Sequence, residues 1–91
     1  MDKALVIVDI QNDYFPGGKM ELEGSTEAAA NAARLLAAFR ERGLPVVHIQ
    51  HVSTRPGAGF FLPDTPGVAI HDAVAPRAGE PVLVKHFPNA F

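Results

Sequence analysis

Residues 4–15 read ALVIVDIQNDYF, and their apolar run ends abruptly at the carboxylate of Asp9. An unbroken run rich in β-branched residues predicts a strand buried on both faces, as at the centre of a parallel sheet covered by helices. Asp9 then lies at the carboxyl end of this strand, where open α/β sheets bind their ligands. We therefore interpret Asp9 as a candidate for chemistry. The alternative is that it only caps the following loop by accepting backbone hydrogen bonds.

The chain after this strand predicts a helix and a second strand. Alanines and leucines recur at helical spacing from Ser25 to about Arg42, a Ser or Thr side chain is available to cap the first turn, and Gly43 stops the helix. Residues 46–52 read VVHIQHV and predict the second strand. A strand, a helix and a strand in this order predict a right-handed parallel crossover unit.

The second strand carries two histidines with different expected roles. His48 is interpreted as a hydrogen-bonded packing residue, which is the usual role of a single histidine in a strand. His51 lies nearer to the carboxyl end, on the same side of the sheet as Asp9. For His51 a packing role and a role in the site both stay open.

Residues 53–79 hold much of the proline and glycine of the chain and predict a long irregular loop. Two adjacent phenylalanines, Phe60 and Phe61, lie within it. Long loops with aromatic residues inside a compact domain are often functional, so we expect this one to line a substrate pocket or a subunit contact. Within the loop, the stretch from His71 to Pro76 predicts one helical turn.

Residues 81–87 read PVLVKHF and predict a third strand, with Lys85 near its carboxyl end. If this strand is parallel to the first, Lys85 and Asp9 point from the same edge of the sheet into one crevice. We favour the interpretation of this pair as a catalytic centre. The alternative is a salt bridge that only orders the sheet edge.

Length and composition describe one globular domain and limit its partners. The 91 residues are 47% hydrophobic and 20% charged, and the net charge of −2 gives no basic surface for nucleic acid. No apolar run approaches the roughly 20 residues that cross a bilayer, and no signal-peptide pattern is present. We therefore expect a cytoplasmic protein without a membrane partner. Because these residues include no cysteine, they hold neither a disulfide nor a cysteine nucleophile.

The segments VDIQNDYF at 8–15, GFFLP at 59–63 and VLVKH at 82–86, together with the histidine-bearing second strand, resemble the isochorismatase-like hydrolase family. This family is also called the cysteine hydrolase or nicotinamidase-related superfamily, and the resemblance covers the entire chain. It implies an α/β fold of three α/β/α layers around a doubly wound parallel sheet. This chain supplies about half of such a fold, so residues 1–91 are expected to be the N-terminal part of a single domain. The alternative is a natural short form without the nucleophile.

The resemblance also implies a reaction. In most members an Asp, a Lys and a Cys form a triad, and here Asp9 matches the acid/base carboxylate and Lys85 the lysine. The Asp takes the thiol proton, and the thiolate attacks an amide carbonyl to give a thioester that water hydrolyses. The Cys is expected beyond residue 91, so residues 1–91 alone are expected to be inactive. Members that cleave the vinyl ether of isochorismate lack the Cys and use the Asp as a proton donor.

Further site residues, cofactors and partners are expected from the same resemblance. The predicted pocket wall consists of four aromatic side chains: Phe15, His51, Phe61 and Phe87. Nicotinamidase-type relatives bind a divalent ion through an Asp-x-His pair that this sequence lacks, so we expect no metal and no other cofactor, with His51 and His71 as the residues to suspect otherwise. A small-molecule substrate and a homo-oligomer are the expected partners.

Two hypotheses about function follow from these observations. The first is a hydrolase that acts on a small amide, carbamoyl or vinyl-ether substrate. The second is a non-catalytic binding or assembly module on the same fold. Aspartate phosphotransferases also end their first strand on Asp, but they need a second Asp where this chain has Gln11, which argues against that class.

Overall fold

The computed structural model describes residues 3–87 and contains three strands and one long helix in that range. Strand β1 is Leu5–Val8, helix α1 is Ser25–Glu41, strand β2 is Val46–His51 and strand β3 is Val82–Lys85. The strands form one parallel sheet in the order β1-β2-β3. Each predicted strand is therefore present, although each is one to three residues shorter than predicted.

The connecting segments contain short 3₁₀ helices at Asn12–Tyr14, Pro66–Val68 and Asp72–Val74. The last of these confirms the helical turn predicted between His71 and Pro76. The first two belong to segments in which the sequence predicted only irregular structure. The first follows the carboxyl end of β1, and the other two lie in the long loop between β2 and β3.

The two ends of α1 differ in how well the sequence predicted them. At the C-terminus, Gly43 adopts a left-handed conformation with φ 68°, which confirms its predicted role as the helix stop. At the N-terminus the capping residue is Gly24 at φ 79°, and no side chain caps the helix. The expected Ser or Thr cap is therefore wrong, because Ser25 is already the first helical residue.

Helix α1 packs on one face of the sheet and forms the hydrophobic core there. Its Leu36 is fully buried against Ile7 of β1, Val46 of β2 and Val74 of the last 3₁₀ turn. Partly buried apolar side chains surround this group, among them Leu5, Ile10, Ala32, Ala33, Phe39 and Ile70. This packing holds β1 and β2 in place, and thereby fixes the edge at which the strands end.

The expectation that the first strand is buried on both faces is wrong for the part of the chain that the structure describes. Val6 and Val8 of β1 are 42% and 39% exposed, and Leu83 and Val84 of β3 are 56% and 52% exposed. The reason is that α1 covers only one face and packs mainly on β1 and β2. Apolar surface therefore stays open on the other face and along β3.

Between residues 3 and 87, none of the helices has the length and apolar character that a membrane span needs.

Candidate active site at the carboxyl edge of the sheet

The parallel register brings three polar residues to one edge of the sheet. Val8 pairs with Ile49, and His51 pairs with Lys85. Asp9 follows Val8 directly, so it reaches the same edge as the ends of β2 and β3. Because the strands are parallel, their carboxyl ends lie at the same edge of the sheet whatever the conformation of the loops.

Asp9 and Lys85 form the ion pair expected from their positions. The distance from Lys85 Nζ to Asp9 Oδ2 is 3.0 Å, and the two side chains are 10% and 18% exposed. The other carboxylate oxygen, Asp9 Oδ1, is buried and has no hydrogen-bond partner among residues 3–87. One oxygen of this carboxylate is thus paired with the Lys85 ammonium, and the other is available to accept a hydrogen bond from a further group.

The backbone at Asp9 is also unusual. Its φ of 58° lies in the left-handed region, which non-glycine residues enter rarely and Asp and Asn more readily than most. Such a conformation costs of order 1–3 kcal/mol and persists only where the surroundings enforce it. Here it turns the chain out of the sheet at the residue that carries the carboxylate.

His51 lies beside this pair at the end of β2 and is 6% exposed. Burial lowers the pKa of the His51 imidazole; the Asp9 carboxylate opposes this shift, whereas the positive charges of Lys85, Arg55 and His86 add to it. The ring therefore favours its neutral form at neutral pH. Its centroid is 5.3 Å from that of Phe61, so His51 also belongs to the aromatic packing under the site.

Phe61 is a packed residue of this aromatic cluster. It is completely buried, its ring meets Tyr14 edge-on at a centroid distance of 4.8 Å, and Phe60 lies 4.9 Å away. Its φ of 54° is left-handed, and its backbone N–H donates to Asp13 Oδ2 at 2.6 Å. The predicted contact of Phe61 with a substrate stays a prediction.

A cavity of about 240 Å³ opens beside Asp9, between the loop after β1 and the first turns of α1. Asp9, Tyr14 and Phe15 line it on the loop side, and Ser25, Ala28 and Ala29 line it on the helix side. Phe15 is 7% exposed and stacks on His71 at a centroid distance of 3.9 Å. Phe15 is therefore a packed residue in the wall of the cavity that Asp9 also lines.

Phe87 does not join these residues. It is 68% exposed and is not one of the side chains that line the Asp9 cavity. The physical reason is that β3 already ends at Lys85, so the predicted continuation of the strand to Phe87 is absent. Within residues 3–87 nothing brings this ring to the other predicted site residues.

Tyr14 is near the site, although it is not among the site residues expected from the sequence. Burial raises the pKa of the Tyr14 phenol, and the negative charge of Asp9 adds to this effect. The hydroxyl therefore keeps its proton at neutral pH and is available as a hydrogen-bond donor near Asp9. Its position five residues after Asp9, in the loop that follows the strand, was the available signal.

Two buried polar residues of the loop after β1 were also missed. Gln11 is fully buried and its carboxamide bonds to the backbone of His51 and Val68. Asp13 is 3% exposed, and it accepts from the backbone N–H of Lys19 at 3.1 Å as well as from that of Phe61. Both side chains join segments that lie far apart in the sequence, which local patterns do not reveal.

A second charged cluster lies away from this edge. His48 is 1% exposed, and its Nε2 is 2.9 Å from Glu80 Oε1, which confirms its predicted role as a hydrogen-bonded packing residue. Arg40 donates to both carboxylate oxygens of Glu80 at 2.7 Å. The hydrogen bond from Arg40 is the largest cause that holds the pKa of Glu80 well below its usual value.

No group of three or more His, Asp or Glu side chains is arranged to hold a metal ion within the described range. His51 is buried in the aromatic cluster, and His71 stacks on Phe15 while its Nδ1 accepts from the N–H of Ala73 at 3.1 Å. The expectation of a metal-free protein stays a prediction.

Known proteins resemble this chain over nearly its whole length. The family model described as the isochorismatase domain matches residues 3–91. The chain belongs to the isochorismatase family. Among its family relatives, the uncharacterised isochorismatase-family protein YddQ of Bacillus subtilis is 54% identical over 91 residues, which are all of this chain and 51% of that protein.

Solved structures of the isochorismatase family have the same fold. An isochorismatase-family protein of Oleispira antarctica aligns with a TM-score of 0.87 and 50% identity, covering 91% of this chain and 46% of that one. N-carbamoylsarcosine amidase of Thermoplasma acidophilum aligns with a TM-score of 0.81 and 30% identity, covering 94% of this chain and 53% of that one. The predicted isochorismatase-like α/β fold is thus confirmed. The chain spans about half the length of the relatives it matches.

Proposed function

We propose that this chain is the N-terminal half of a single hydrolase domain, and that the complete protein hydrolyses a small amide or carbamoyl compound. The proposal rests on the carboxylate of Asp9, which Lys85 holds by one oxygen while the other oxygen is buried without a hydrogen-bond partner in the described range. A carboxylate in this arrangement can take a proton from a neighbouring nucleophile and return it later. The amidase named among the solved relatives supports the substrate class.

In the proposed reaction the nucleophile is the cysteine that the family resemblance implies beyond residue 91. Asp9 accepts the thiol proton, the sulfur attacks the carbonyl carbon, and the carbon–nitrogen bond breaks as the leaving amine takes the proton from Asp9. Water then hydrolyses the thioester, which releases the acid and restores the thiol. Lys85 Nζ, at 3.0 Å from Asp9 Oδ2, orients the carboxylate and offsets the negative charge that moves between it and the sulfur.

The cavity beside Asp9 supports a small substrate. Its volume of about 240 Å³ is at the lower end of the range for ligand sites, and Phe15 and Tyr14 supply flat apolar walls. The buried and neutral imidazole of His51 adds no charge to this edge at neutral pH. We therefore expect a small substrate, recognised mainly by its amide or carbamoyl group.

Two alternative functions remain from the sequence. Hydrolysis of a vinyl ether would use the same Asp9 as a proton donor and would need no cysteine. A non-catalytic binding or assembly module is favoured by the exposed apolar side chains of β1 and β3, because such surface is often covered by a partner. A homo-oligomer, without nucleic acid or membrane partners, is proposed for each of these functions.

The first experiment is an intact mass of the protein produced from its natural reading frame. We expect a mass well above the 9.7 kDa of residues 1–91, because the relatives are about twice as long as this chain. A mass of 9.7 kDa would remove the cysteine mechanism and leave the binding module as the better hypothesis.

The second experiment tests the reaction in the complete protein with small primary amides, N-carbamoyl amino acids and isochorismate as probes. Asp9→Asn and Lys85→Ala are expected to lower kcat/KM by roughly 10²–10⁴-fold, the usual contribution of a positioned acid or base. Asp64→Asn and Lys19→Ala, which change exposed charges away from the pair, serve as controls and should keep the activity. Full activity in Asp9→Asn would overturn the proposal.

A further inference from the structure

The hydrogen-bond ladder between β1 and β2 stops at Asp9, whereas β2 continues to His51. The N–H of Leu5 donates to the carbonyl of Pro45, and four residues later the N–H of Asp9 donates to the carbonyl of Ile49, both at 3.0 Å. In a parallel ladder these bonds repeat regularly along the strand. The next bonds would run from the N–H of His51 to the carbonyl of Asp9, and from the N–H of Gln11 to the carbonyl of His51.

The main chain cannot make these bonds because it leaves the sheet at Asp9, where φ is 58°. The following residues pair with a different segment instead. The carbonyl of Ile10 accepts from the N–H of His71 at 2.9 Å, the N–H of Asn12 donates to the carbonyl of Ala69 at 3.0 Å, and Gln11 forms an antiparallel bridge with Ile70. Two buried backbone groups of His51 would therefore lose their partners.

The side chain of Gln11 supplies both missing partners. Its Oε1 accepts from the N–H of His51 at 2.8 Å, and its Nε2 donates to the carbonyl of His51 at 2.8 Å. A carboxamide carries one carbonyl and one NH₂ group, the same donor and acceptor types as a peptide unit. The second hydrogen of Nε2 goes to the carbonyl of Val68 at 2.8 Å, so the fully buried amide leaves no donor unused.

We infer that Gln11 is a positioning residue of the active site, whose carboxamide takes the place of the Asp9 carbonyl and the Gln11 N–H in the β1–β2 ladder so that the backbone can turn at Asp9. The replacement keeps the end of β2 attached to β1 while the carboxylate of Asp9 leaves the sheet. His51 is the register partner of Lys85, so the same tie sets the distance between Asp9 and Lys85. The expected effect of Gln11 on catalysis rests on the proposed function, whereas its effect on the structure of the sheet edge does not.

The test compares Gln11→Met with Gln50→Met. Gln50 Nε2 also donates to the carbonyl of Val68, at 2.9 Å, and none of the described contacts joins its amide to the His51 backbone. Both variants lose a hydrogen bond to Val68, but only Gln11→Met loses the tie to His51. In Gln11→Met we expect the His51 amide hydrogen to exchange about tenfold faster, the factor for about one net hydrogen bond. A crystal structure of this variant should show the Asp9–Lys85 pair broken, and that of Gln50→Met should show it intact.

A second variant keeps the test decisive if Gln11→Met does not fold. In Gln11→Glu, a protonated carboxyl offers one acceptor and one donor to His51, whereas the ionised form places a negative charge against the His51 carbonyl. Protection of the His51 amide should therefore return reversibly on acidification and be lost again towards neutral pH. Protection that is independent of pH in Gln11→Glu, or equal in Gln11→Met and the wild type, would overturn the inference.

Activity of the complete protein separates this inference from the proposed function. A misplaced acid–base pair should lower kcat by the order of 100-fold in Gln11→Met with little change in KM, and should leave Gln50→Met active. The proposed function fails and the positioning role stands if none of the amide and N-carbamoyl probes is hydrolysed, but Gln11→Met shows faster exchange of the His51 amide and a broken Asp9–Lys85 pair. If the probes are hydrolysed and Gln11→Met keeps its kcat, the positioning role fails.

Discussion

Asp9 combines a left-handed backbone with an ion pair. The φ of 58° directs the carboxylate away from the ladder, and Lys85 then holds it at 3.0 Å. The same turn leaves Asp9 Oδ1 buried without a partner among the described residues. A carboxylate that only ordered a loop would be expected to use both oxygens for backbone N–H groups. This arrangement supports the proposed role of Asp9 as an acid–base group.

The proximity of the Asp9 carboxylate to the His51 imidazole can be tested without a substrate. His51 should titrate below the ordinary value of 6.5, and Asp9→Asn should lower its pKa further, because the carboxylate of Asp9 partly opposes the effect of burial. Since the folded protein holds His51 neutral, the associated stability is lost as the pH falls below 6.5 through the folded pKa. The measurement is an NMR titration of the imidazole.

Asp64→Asn is the control for this titration, because Asp64 is an exposed acid on the same loop as Phe61 and is not a cause of the His51 shift. An Asp9→Asn variant in which the His51 titration is unchanged, or moves upwards, would contradict the described arrangement.

A second prediction concerns Gly67, which lies against the carboxylate of Asp13. A Cβ on Gly67 would lie 2.0 Å from Asp13 Oδ1, far closer than two such atoms can approach. Gly67→Ala should therefore displace the Asp13 carboxylate from the backbone N–H groups of Lys19 and Phe61 and cost about 1–3 kcal/mol of unfolding free energy. Urea denaturation measures the effect.

Gly59→Ala is the matched control, because a Cβ at Gly59 meets no atom within 4 Å. Equal stability of the two alanine variants would show that the Asp13 carboxylate does not hold these loops together.

At the scale of elements, the strands are identified by their apolar runs, but their exposure is set by the helix that covers them. Helix α1 packs mainly on β1 and β2, so Val84, on the α1 side of β3, is 52% exposed although it belongs to an apolar strand. The same helix carries Arg40, which reaches the turn before β3 through Glu80. This charged contact ties β3 to α1 where apolar packing does not.

The contact of Glu80 with Arg40 and His48 predicts a dependence of stability on pH. The pKa of Glu80 is held below its ordinary value of 4.5, chiefly by the hydrogen bond from Arg40. Its contribution is therefore complete above pH 4.5 and is lost as the pH falls below that value towards the folded pKa. Glu80→Gln should remove this part of the pH dependence and cost roughly 1.5–3 kcal/mol at pH 7.

Thermal or urea unfolding between pH 3 and pH 7 checks this prediction. Glu41→Gln, at an exposed position of the same helix, is the control and should keep the pH dependence of the wild type. A Glu80→Gln variant that loses stability on acidification as steeply as the wild type would contradict the assignment.

At the scale of the whole molecule, the open apolar face predicts association of residues 1–91. Val6, Val8 and Leu83, whose side chains share one face of the sheet, are all at least 39% exposed, and an uncovered parallel sheet of this kind is expected to bury its apolar side chains against another surface. Leu83→Lys should reduce self-association, because a buried lysine in a new interface carries a desolvation cost. Analytical ultracentrifugation measures the change.

Leu35→Lys is the matched control for Leu83→Lys. Leu35 is 54% exposed and lies on α1, whereas Leu83 is 56% exposed and lies on the sheet. If both variants associate like the wild type, the sheet face is not the surface through which the chains meet.

The sequence by itself determined the elements and the edge at which the candidate site lies. Apolar runs, helical spacing and Gly43 predicted the strands and the helix because these signals are local, and parallel topology then placed Asp9 and Lys85 together. Only the tertiary structure decided what holds this edge in shape. The carboxamide of Gln11 reaches backbone groups 40 and 57 residues away, and the Asp13 carboxylate reaches a backbone N–H 48 residues away. Contacts of that range depend on how the loops fold over the sheet, which no local pattern in the chain records.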